Sequence, residues 1–147
     1  MAVRVLIIDG SSAVRDAIRR NLECIGCDVV AEAATADQAL SLFRTVEPEI
    51  VTLGVDLRYG DESSPLGLLR LIKREVPKTS VLMVARALLL DDAQTFKRAG
   101  ALECFVVPLE FASLWHILST AHPELMAGAF ATMMSATAAL KASRLSR

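Results

Sequence analysis

Two aspartates stand at the point where apolar runs of the sequence give way to loops. Asp9 follows the run RVLII, and Asp56 comes two residues after Gly54, which closes the run IVTLG. Because side chains alternate along a strand, Asp56 is expected on the same face as Gly54. Carboxylates are ligands for Mg²⁺, but this ion is usually held by more than one acid. The chemistry of this pair therefore depends on whether the two aspartates share one pocket.

Other reactive residue types are placed less favourably for chemistry. Cys24 and Cys27 form a C-x-x-C pair around Gly26, at a predicted helix C-terminus, where the helix dipole disfavours a thiolate. No second ligand pair for zinc lies nearby, so we interpret both cysteines as structural. His116 and His122 have no partner carboxylate or nucleophile at useful spacing, and no glycine-rich nucleotide motif follows the first apolar run. We expect no catalytic residue, no metal and no cofactor.

The elements that position these residues alternate regularly up to residue 122. Near-continuous runs of Val, Ile, Leu, Met and Phe are typical of strands buried on both faces. The predicted strands are Val3–Ile8, Asp28–Ala33, Ile50–Val55, Ser80–Ala85 and Cys104–Val107. Apolar residues at three- and four-residue spacing, with capping residues before them, indicate helices between the strands. The predicted helices begin at Ser11 or Ser12, after the Thr35–Gln38 capping box, after Ser64, near Asp92 and near Phe111.

This alternation predicts an α/β fold, a flavodoxin-like, doubly wound sheet of five parallel strands in the order 2-1-3-4-5. Residues 1–122 form the predicted domain, and residues 123–147 a C-terminal helical extension. Ligands of such sheets bind beyond the carboxyl ends of the strands. The expected site therefore draws on residues 9–10, 54–56, 85–86 and 107–108.

The segments at these strand ends resemble those of the receiver domains of two-component response regulators. The similar stretches are RVLIIDGSSAVR (4–15), PEIVTLG (48–54), SVLMVAR (80–86) and AGALECFVVP (99–108). The resemblance implies an acidic pair after the first strand and a phosphate-accepting aspartate after the third. It also implies a hydroxyl residue after the fourth strand and a lysine before a proline after the fifth. Mg²⁺ and the lysine would neutralise charge on the phosphoryl oxygens.

This chain departs from the family pattern at nearly every one of these positions. Asp9 is present, but the others are Gly10 for the second acid, Gly54 for the acceptor, Ala85 for the hydroxyl residue, Val107 for the lysine and Cys104 for an aromatic residue of the fifth strand. Without acceptor, metal or lysine, no phosphoryl chemistry is expected. The resemblance therefore implies a pseudo-receiver, a non-enzymatic signalling module that acts through protein contacts.

Two alternatives stay open from the sequence. In the first, Asp56 is an unconventional phosphoacceptor in a rebuilt pocket, and Asp61 is a less favourable candidate for the same role. The other interpretation of Asp56 is a solvated loop residue. The emptied pocket around Gly54, Ala85 and Val107 is alternatively the site of a small-ligand sensor. The long loop from Asp56 to Pro65, which carries Tyr59, is interpreted as a lid, a partner-binding surface or a tolerated insertion.

Composition limits the classes of function further. The chain has 147 residues, 53% of them hydrophobic and 22% charged, so it can bury one core and is expected to be a single folded domain. With a net charge of −1 and no basic cluster, nucleic acid is not an expected partner. Three cysteines without a signal peptide favour a reducing compartment, and no apolar stretch reaches the length of a membrane span. We expect a soluble cytoplasmic protein.

Candidate interfaces come from two apolar sets. By resemblance, the fourth helix, fifth strand and fifth helix form an output and dimer face, which places Phe96, Phe105 and Trp115 near an interface. In the tail, Met126, Phe130, Met133 and Leu140 form a stripe, between alanines that allow close helix approach. We expect protein partners of a signalling pathway and a homodimer through either set, with docking of the tail on its own domain as the alternative.

Overall fold

Five strands alternate with five helices in the computed structural model of the chain, which describes residues 2–56, 64–88 and 90–123. The elements are β1 (Arg4–Ile8), α1 (Ser12–Ile25), β2 (Asp28–Ala33), α2 (Ala36–Val46), β3 (Ile50–Gly54), α3 (Pro65–Glu75), β4 (Ser80–Ala85), α4 (Leu90–Arg98), β5 (Glu103–Val106) and α5 (Phe111–Ala121). All strand pairs are parallel, and the order is β2-β1-β3-β4-β5. The predicted fold class and strand order are confirmed.

The strand ends differ from the predicted ones by a single residue. Val3, Val55 and Val107 were expected inside strands and lie just outside them. Each still takes part in a strand-like hydrogen bond, since the Val55 amide donates to the Val84 carbonyl at 2.8 Å and the Val107 amide to the Ala85 carbonyl at 2.9 Å. At Val55 and Val107 the sheet therefore continues by one bond into the loops that carry the candidate site, whereas Val3, whose carbonyl accepts from the Asp28 amide, lies at the opposite edge.

Capping residues set the helix starts as the sequence predicts. Ser11 caps α1, since its hydroxyl accepts from the Val14 amide at 3.3 Å. The Thr35 hydroxyl accepts from the Gln38 amide at 3.3 Å, but the Gln38 side chain accepts from the amide of Ala34. In a regular capping box the Gln38 side chain would accept from the amide of Thr35, so this bond is shifted by one residue to Ala34. The helix still begins where the sequence predicts.

The core lies on both faces of the sheet. One cluster joins the sheet to α1 and α5, and the other joins it to α2, α3 and α4. All five residues of β3 are buried, as expected for a central strand of a parallel sheet. Because the central strand is fully buried, the position of its last residue, Gly54, is fixed relative to the ends of the neighbouring strands.

The aromatic residues predicted as interface anchors lie mostly inside this core. Phe96 and Phe105 are each 8% exposed, and Trp115 is half-buried against the α1–α5 cluster. Phe96 is covered within the cluster of α2, α3 and α4, and Phe105 within the cluster of α1 and α5, so little of either ring is exposed to a partner. The exposed apolar side chains on these elements are Leu90 of α4 and Val106 of β5, which are 73% and 48% exposed.

Several predicted features lie outside the described residues. They are the loop residues Tyr59 and Asp61, and the C-terminal extension with Met126, Phe130, Met133 and Leu140. Among the residues that are described, no helix is long and apolar enough to cross a membrane.

Candidate functional site

Five strand ends meet around an open cleft of about 610 Å³ at the carboxyl edge of the sheet. It is lined by Asp9, Gly10, Ser11, Val14, Ala34, Asp56, Val84, Ala85, Arg86, Ala87 and Val107. The predicted site residues Asp9, Gly10, Asp56, Ala85 and Val107 are therefore brought together, and Gly54 lies directly against Asp9. Arg86, which was expected from the sequence at the end of β4, also lines the cleft, and so does Ser11, for which no site role was predicted.

Asp9 is held by contacts on both its backbone and its side chain. Its amide donates to the Ala33 carbonyl at 3.0 Å, and its carbonyl accepts from Arg15 Nη1 at 2.8 Å. Its Oδ1 accepts from the Ser11 amide at 2.9 Å. Arg15 in turn pairs with Glu32 of β2 at 3.5 Å. The start of α1 and the end of β1 thus fix where the Asp9 carboxylate lies.

The Asp9 carboxylate lies over Gly54, where a side chain would otherwise stand. A Cβ added at Gly54 would lie 2.5 Å from Asp9 Oδ2 and 3.0 Å from Asp9 Cγ. Its next contact, with the Ile8 carbonyl oxygen at 3.4 Å, is at the limit of ordinary packing. Glycine at this position is therefore matched to the Asp9 rotamer, and any larger residue requires Asp9 to move.

The positions at the ends of β4 and β5 carry no polar side chain. Ala85 is 2% exposed, and Val107 is half-buried at the cleft wall. The Val107 amide bonds to the Ala85 carbonyl, so the two strand ends lie side by side. Neither residue supplies a hydroxyl or an ammonium group, and this part of the cleft is apolar.

Asp56 lies in the same cleft as Asp9, as strand alternation predicts. Its Oδ2 accepts from the Arg86 amide at 3.3 Å, which ties the loop after β3 to the end of β4. The two carboxylates are close enough for the charge of Asp56 to act on Asp9. The two aspartates therefore share one pocket.

Burial raises the pKa of the Asp9 carboxyl above its ordinary value of 3.8. The Ser11 amide and the charge of Arg15 oppose this rise, the charge of Asp56 adds to it, and Arg86 opposes it more weakly. The charged form of Asp9 is thus incompletely compensated by the protein. A positive charge placed in the cleft would stabilise it.

The residues present match only part of the magnesium site that the receiver resemblance implies. Asp9 and Asp56 are the two carboxylates that line the cleft, and Gly10 provides no third. Within the described ranges, no three or more His, Cys, Asp or Glu side chains are grouped as metal ligands. Mg²⁺ usually needs octahedral oxygen ligands. The hydroxyl and ammonium groups that would act on the phosphoryl oxygens beside the ion are missing, because Ala85 and Val107 stand at those positions.

The C-x-x-C pair lies at the C-terminal end of α1. Both cysteines are free thiols, with Cys24 exposed and Cys27 buried. Burial, with a smaller contribution from the charge of Glu49, raises the pKa of Cys27 to about 11, so its thiol is protonated at neutral pH. Gly26 between them ends α1 with a φ of 96°, as the sequence predicted.

His122 has a partner that the sequence did not reveal. Its Nε2 lies 2.5 Å from the Ser80 hydroxyl, which corrects the expectation that no nucleophile lies near it. Burial lowers the pKa of His122, and the charge of Glu49 opposes that effect. Ser80 begins β4, so this contact is at the amino edge of the sheet, opposite the cleft. No sequence signal joins two residues 42 positions apart.

Comparison with known proteins gives a consistent picture. A family described as the response regulator receiver domain matches residues 5–119. Two curated relatives, each a protein-glutamate methylesterase/protein-glutamine glutaminase from a strain of Halobacterium salinarum, are 34% identical over 106 residues. That match covers 70% of this chain and 29% of each relative, so the chain spans less than a third of their length.

Solved structures share the fold at low identity. CheY in the CheX–CheY–BeF3–Mg²⁺ complex of Borrelia burgdorferi is similar, with a TM-score of 0.72 and 19% identity over 80% of this chain and 87% of that one. A CheY-like receiver domain protein of Methanospirillum hungatei has a TM-score of 0.71 and 21% identity, over 85% of this chain and 97% of that one. A LuxR-family response regulator from an Aurantimonas species has a TM-score of 0.72 and 26% identity, over 87% of each chain.

Proposed function

Since this chain belongs to the family of response regulator receiver domains, we propose that it is a pseudo-receiver, a module of two-component signalling that acts through protein contacts without aspartyl phosphorylation. One observation carries the proposal. The Asp9 carboxylate lies over Gly54, so the position expected of the acceptor has no side chain, and the space one would fill is taken by Asp9.

The rest of the cleft supports the same conclusion. Phosphoryl transfer depends on positive groups that neutralise charge on the transferred oxygens. Val107 replaces the expected lysine, and Ala85 replaces the expected hydroxyl. The guanidinium of Arg86 is exposed, and its backbone amide is engaged by Asp56. An acceptor in this cleft would therefore lack the groups that stabilise its transition state.

The test is incubation of the purified chain with Mg²⁺ and acetyl phosphate, followed by intact mass measurement. We expect no added phosphoryl group under conditions that label an ordinary receiver domain within the same experiment. The Asp56→Asn variant, treated in parallel, identifies the acceptor if one exists. A phosphoryl group added to the wild-type chain would overturn the proposal.

Asp56 is the second candidate, because it shares the cleft with Asp9 and faces the end of β4. In this alternative the chain is an unconventional phosphoacceptor. A mass increase in the wild-type chain that is absent from Asp56→Asn would establish it. Phosphorylation that survives this substitution would exclude both proposals.

We further propose that the chain is not an enzyme. The methylesterase and glutaminase activities named for the Halobacterium relatives belong to proteins of which this chain spans 29%. The cleft described above offers no nucleophile with an adjacent base. Hydrolysis of a protein glutamate methyl ester by this chain alone would contradict the proposal. The prediction of a cytoplasmic protein rests on the sequence alone and stays a prediction.

The partner surface is proposed from the sequence and from the exposed apolar residues. Leu90 and Val106 are exposed on α4 and β5, with Trp115 half-buried on α5. A homodimer through this face or through residues 123–147 is testable by solution mass of the chain with and without that segment. Equal monomeric masses would remove self-association through the tail, and Val106→Glu would test the face.

A further inference from the structure

The two carboxylates of the cleft keep unused capacity to accept hydrogen bonds. Among the described contacts, the Asp9 side chain accepts one hydrogen bond, from the Ser11 amide, and the Asp56 side chain accepts one, from the Arg86 amide. An ionised carboxylate has about four acceptor positions on its two oxygens. Both groups line the open cleft, so donors of a bound molecule can reach them.

The charges that line the cleft do not cancel. Asp9 and Asp56 each carry a negative charge when ionised, and among the described residues that line the cleft Arg86 is the single cationic one. Arg15 acts on Asp9 from beside the cleft, but it is also paired with Glu32. Val107 stands where a receiver lysine would supply a second positive charge. The lining therefore has an excess of one negative charge.

The remaining wall of the cleft is apolar and reachable. Val14 and Val107 are half-buried, so part of each side chain faces the open space. Burying such surface against a ligand contributes about 25 cal/mol for each Å² removed from water. The cleft volume of about 610 Å³ falls in the range of small-molecule sites, which is roughly 300–1,000 Å³. The cleft thus combines a negative end with an apolar side.

We propose that this cleft binds a small organic cation, a primary ammonium group on a short apolar body, with Asp9 and Asp56 as the ammonium acceptors. This inference rests on the pseudo-receiver proposal, because a phosphoryl group on an aspartate of the cleft would fill the space that the ammonium group needs. The three donors of an ammonium group match two carboxylates that each have vacant acceptor positions. The apolar body lies against Val14 and Val107, in the place that a receiver lysine chain would fill.

Other ligand classes fit this cleft less well. A divalent metal would use the same two carboxylates, but it makes no contact with the apolar wall, and the described residues supply no third acidic side chain. A small anion would face two carboxylates against the exposed guanidinium of Arg86, which water and salt screen. A neutral molecule leaves the excess negative charge without compensation. The organic cation is the class that uses both the charge and the apolar wall.

The test uses three probes of matched size, namely 2-phenylethylamine, 2-phenylethanol and 3-phenylpropanoate. Each is titrated into the full chain while backbone amide shifts are followed by NMR. We expect the amine to shift Gly10, Ser11 and Arg86 saturably, and to bind roughly threefold or more tightly than the alcohol, as a partly screened charge pair allows. The carboxylate probe is expected to bind weakest.

Variants separate charge from fold. Asp56→Asn is expected to weaken amine binding roughly threefold, whereas Asp28→Asn, which removes an exposed charge at the opposite sheet edge, leaves it unchanged. Val107→Lys supplies an ammonium group within the cleft and is expected to abolish amine binding. The amide spectrum of each variant shows whether it is folded.

Several results would overturn the inference. Equal binding of the amine and the alcohol would show that charge plays no part. Preference for the carboxylate probe, or expulsion of the amine by an equal concentration of Mg²⁺, would assign the cleft to another ligand class. Failure of the amine to bind also overturns the inference, but it leaves the pseudo-receiver proposal standing. Conversely, an added phosphoryl group in the mass experiment overturns the pseudo-receiver proposal whatever the amine does.

Discussion

Replacing Gly54 by alanine tests the contact that carries the functional proposal. The added methyl group would lie 2.5 Å from Asp9 Oδ2, so the Asp9 side chain must rotate away. In doing so, Asp9 gives up the hydrogen bond from the Ser11 amide, which is 2.9 Å long. The substitution therefore acts at one residue but changes the conformation of another.

The size of the effect follows from two opposing contributions. A hydrogen bond to a charged group contributes about 1.5–3 kcal/mol, and its loss destabilises the folded chain. Replacing glycine by alanine at a compatible backbone position stabilises by about 0.4–1 kcal/mol, through the unfolded state. We expect Gly54→Ala to lower the free energy of unfolding by about 1–2 kcal/mol.

A double-mutant cycle with Asp9→Ala isolates the contact. Without the Asp9 carboxylate, the nearest remaining neighbour of the new methyl group is the Ile8 carbonyl oxygen at 3.4 Å. Gly54→Ala should then be neutral or stabilising by about 0.5 kcal/mol, which gives a coupling energy of about 2 kcal/mol.

Urea unfolding of the four proteins at neutral pH measures this coupling energy. Gly67→Ala serves as a control, because its methyl group would meet nothing closer than Ser64 Oγ at 3.4 Å. If Gly54→Ala has the same effect in both backgrounds, within about 0.5 kcal/mol, the Asp9 carboxylate does not occupy this space and the reasoning fails.

Three further predictions concern residues around the sheet. Ser11→Ala removes the cap of α1 and should lower the free energy of unfolding by about 1 kcal/mol in urea, whereas Ser12→Ala, one residue inside the helix, should not. Because burial lowers the pKa of His122, stability should rise with pH through the window between that lowered pKa and 6.5; an NMR titration that places the pKa above 6.5 would contradict this. Iodoacetamide at neutral pH should label the exposed Cys24 well before the buried Cys27, whose pKa is about 11, and peptide mapping showing equal labelling would refute the assignment.

Much of the fold was predictable because local patterns and buried strands agree. The run Ile50–Gly54 has the apolar composition of a central strand, and alternation alone placed Asp56 in the cleft. The position of the Asp9 side chain over Gly54 depends on a rotamer, which no sequence pattern fixes. Likewise, the contact between Ser80 and His122 joins residues brought together only by the complete sheet and α5.

Under the pseudo-receiver proposal, the Asp9 carboxylate above Gly54 also bears on whether a single mutation could provide aspartyl phosphorylation. An acid restored at position 54 alone would contact Asp9, and like charges in contact destabilise the folded chain. A lysine restored at position 107, or a hydroxyl at position 85, would find no acceptor to assist. No single substitution among these brings a gain, so the path back to an ordinary receiver passes through less stable or inactive intermediates. If the chain is the pseudo-receiver proposed above, the contact between the Asp9 carboxylate and Gly54 opposes a return to phosphorylation by any one of these substitutions.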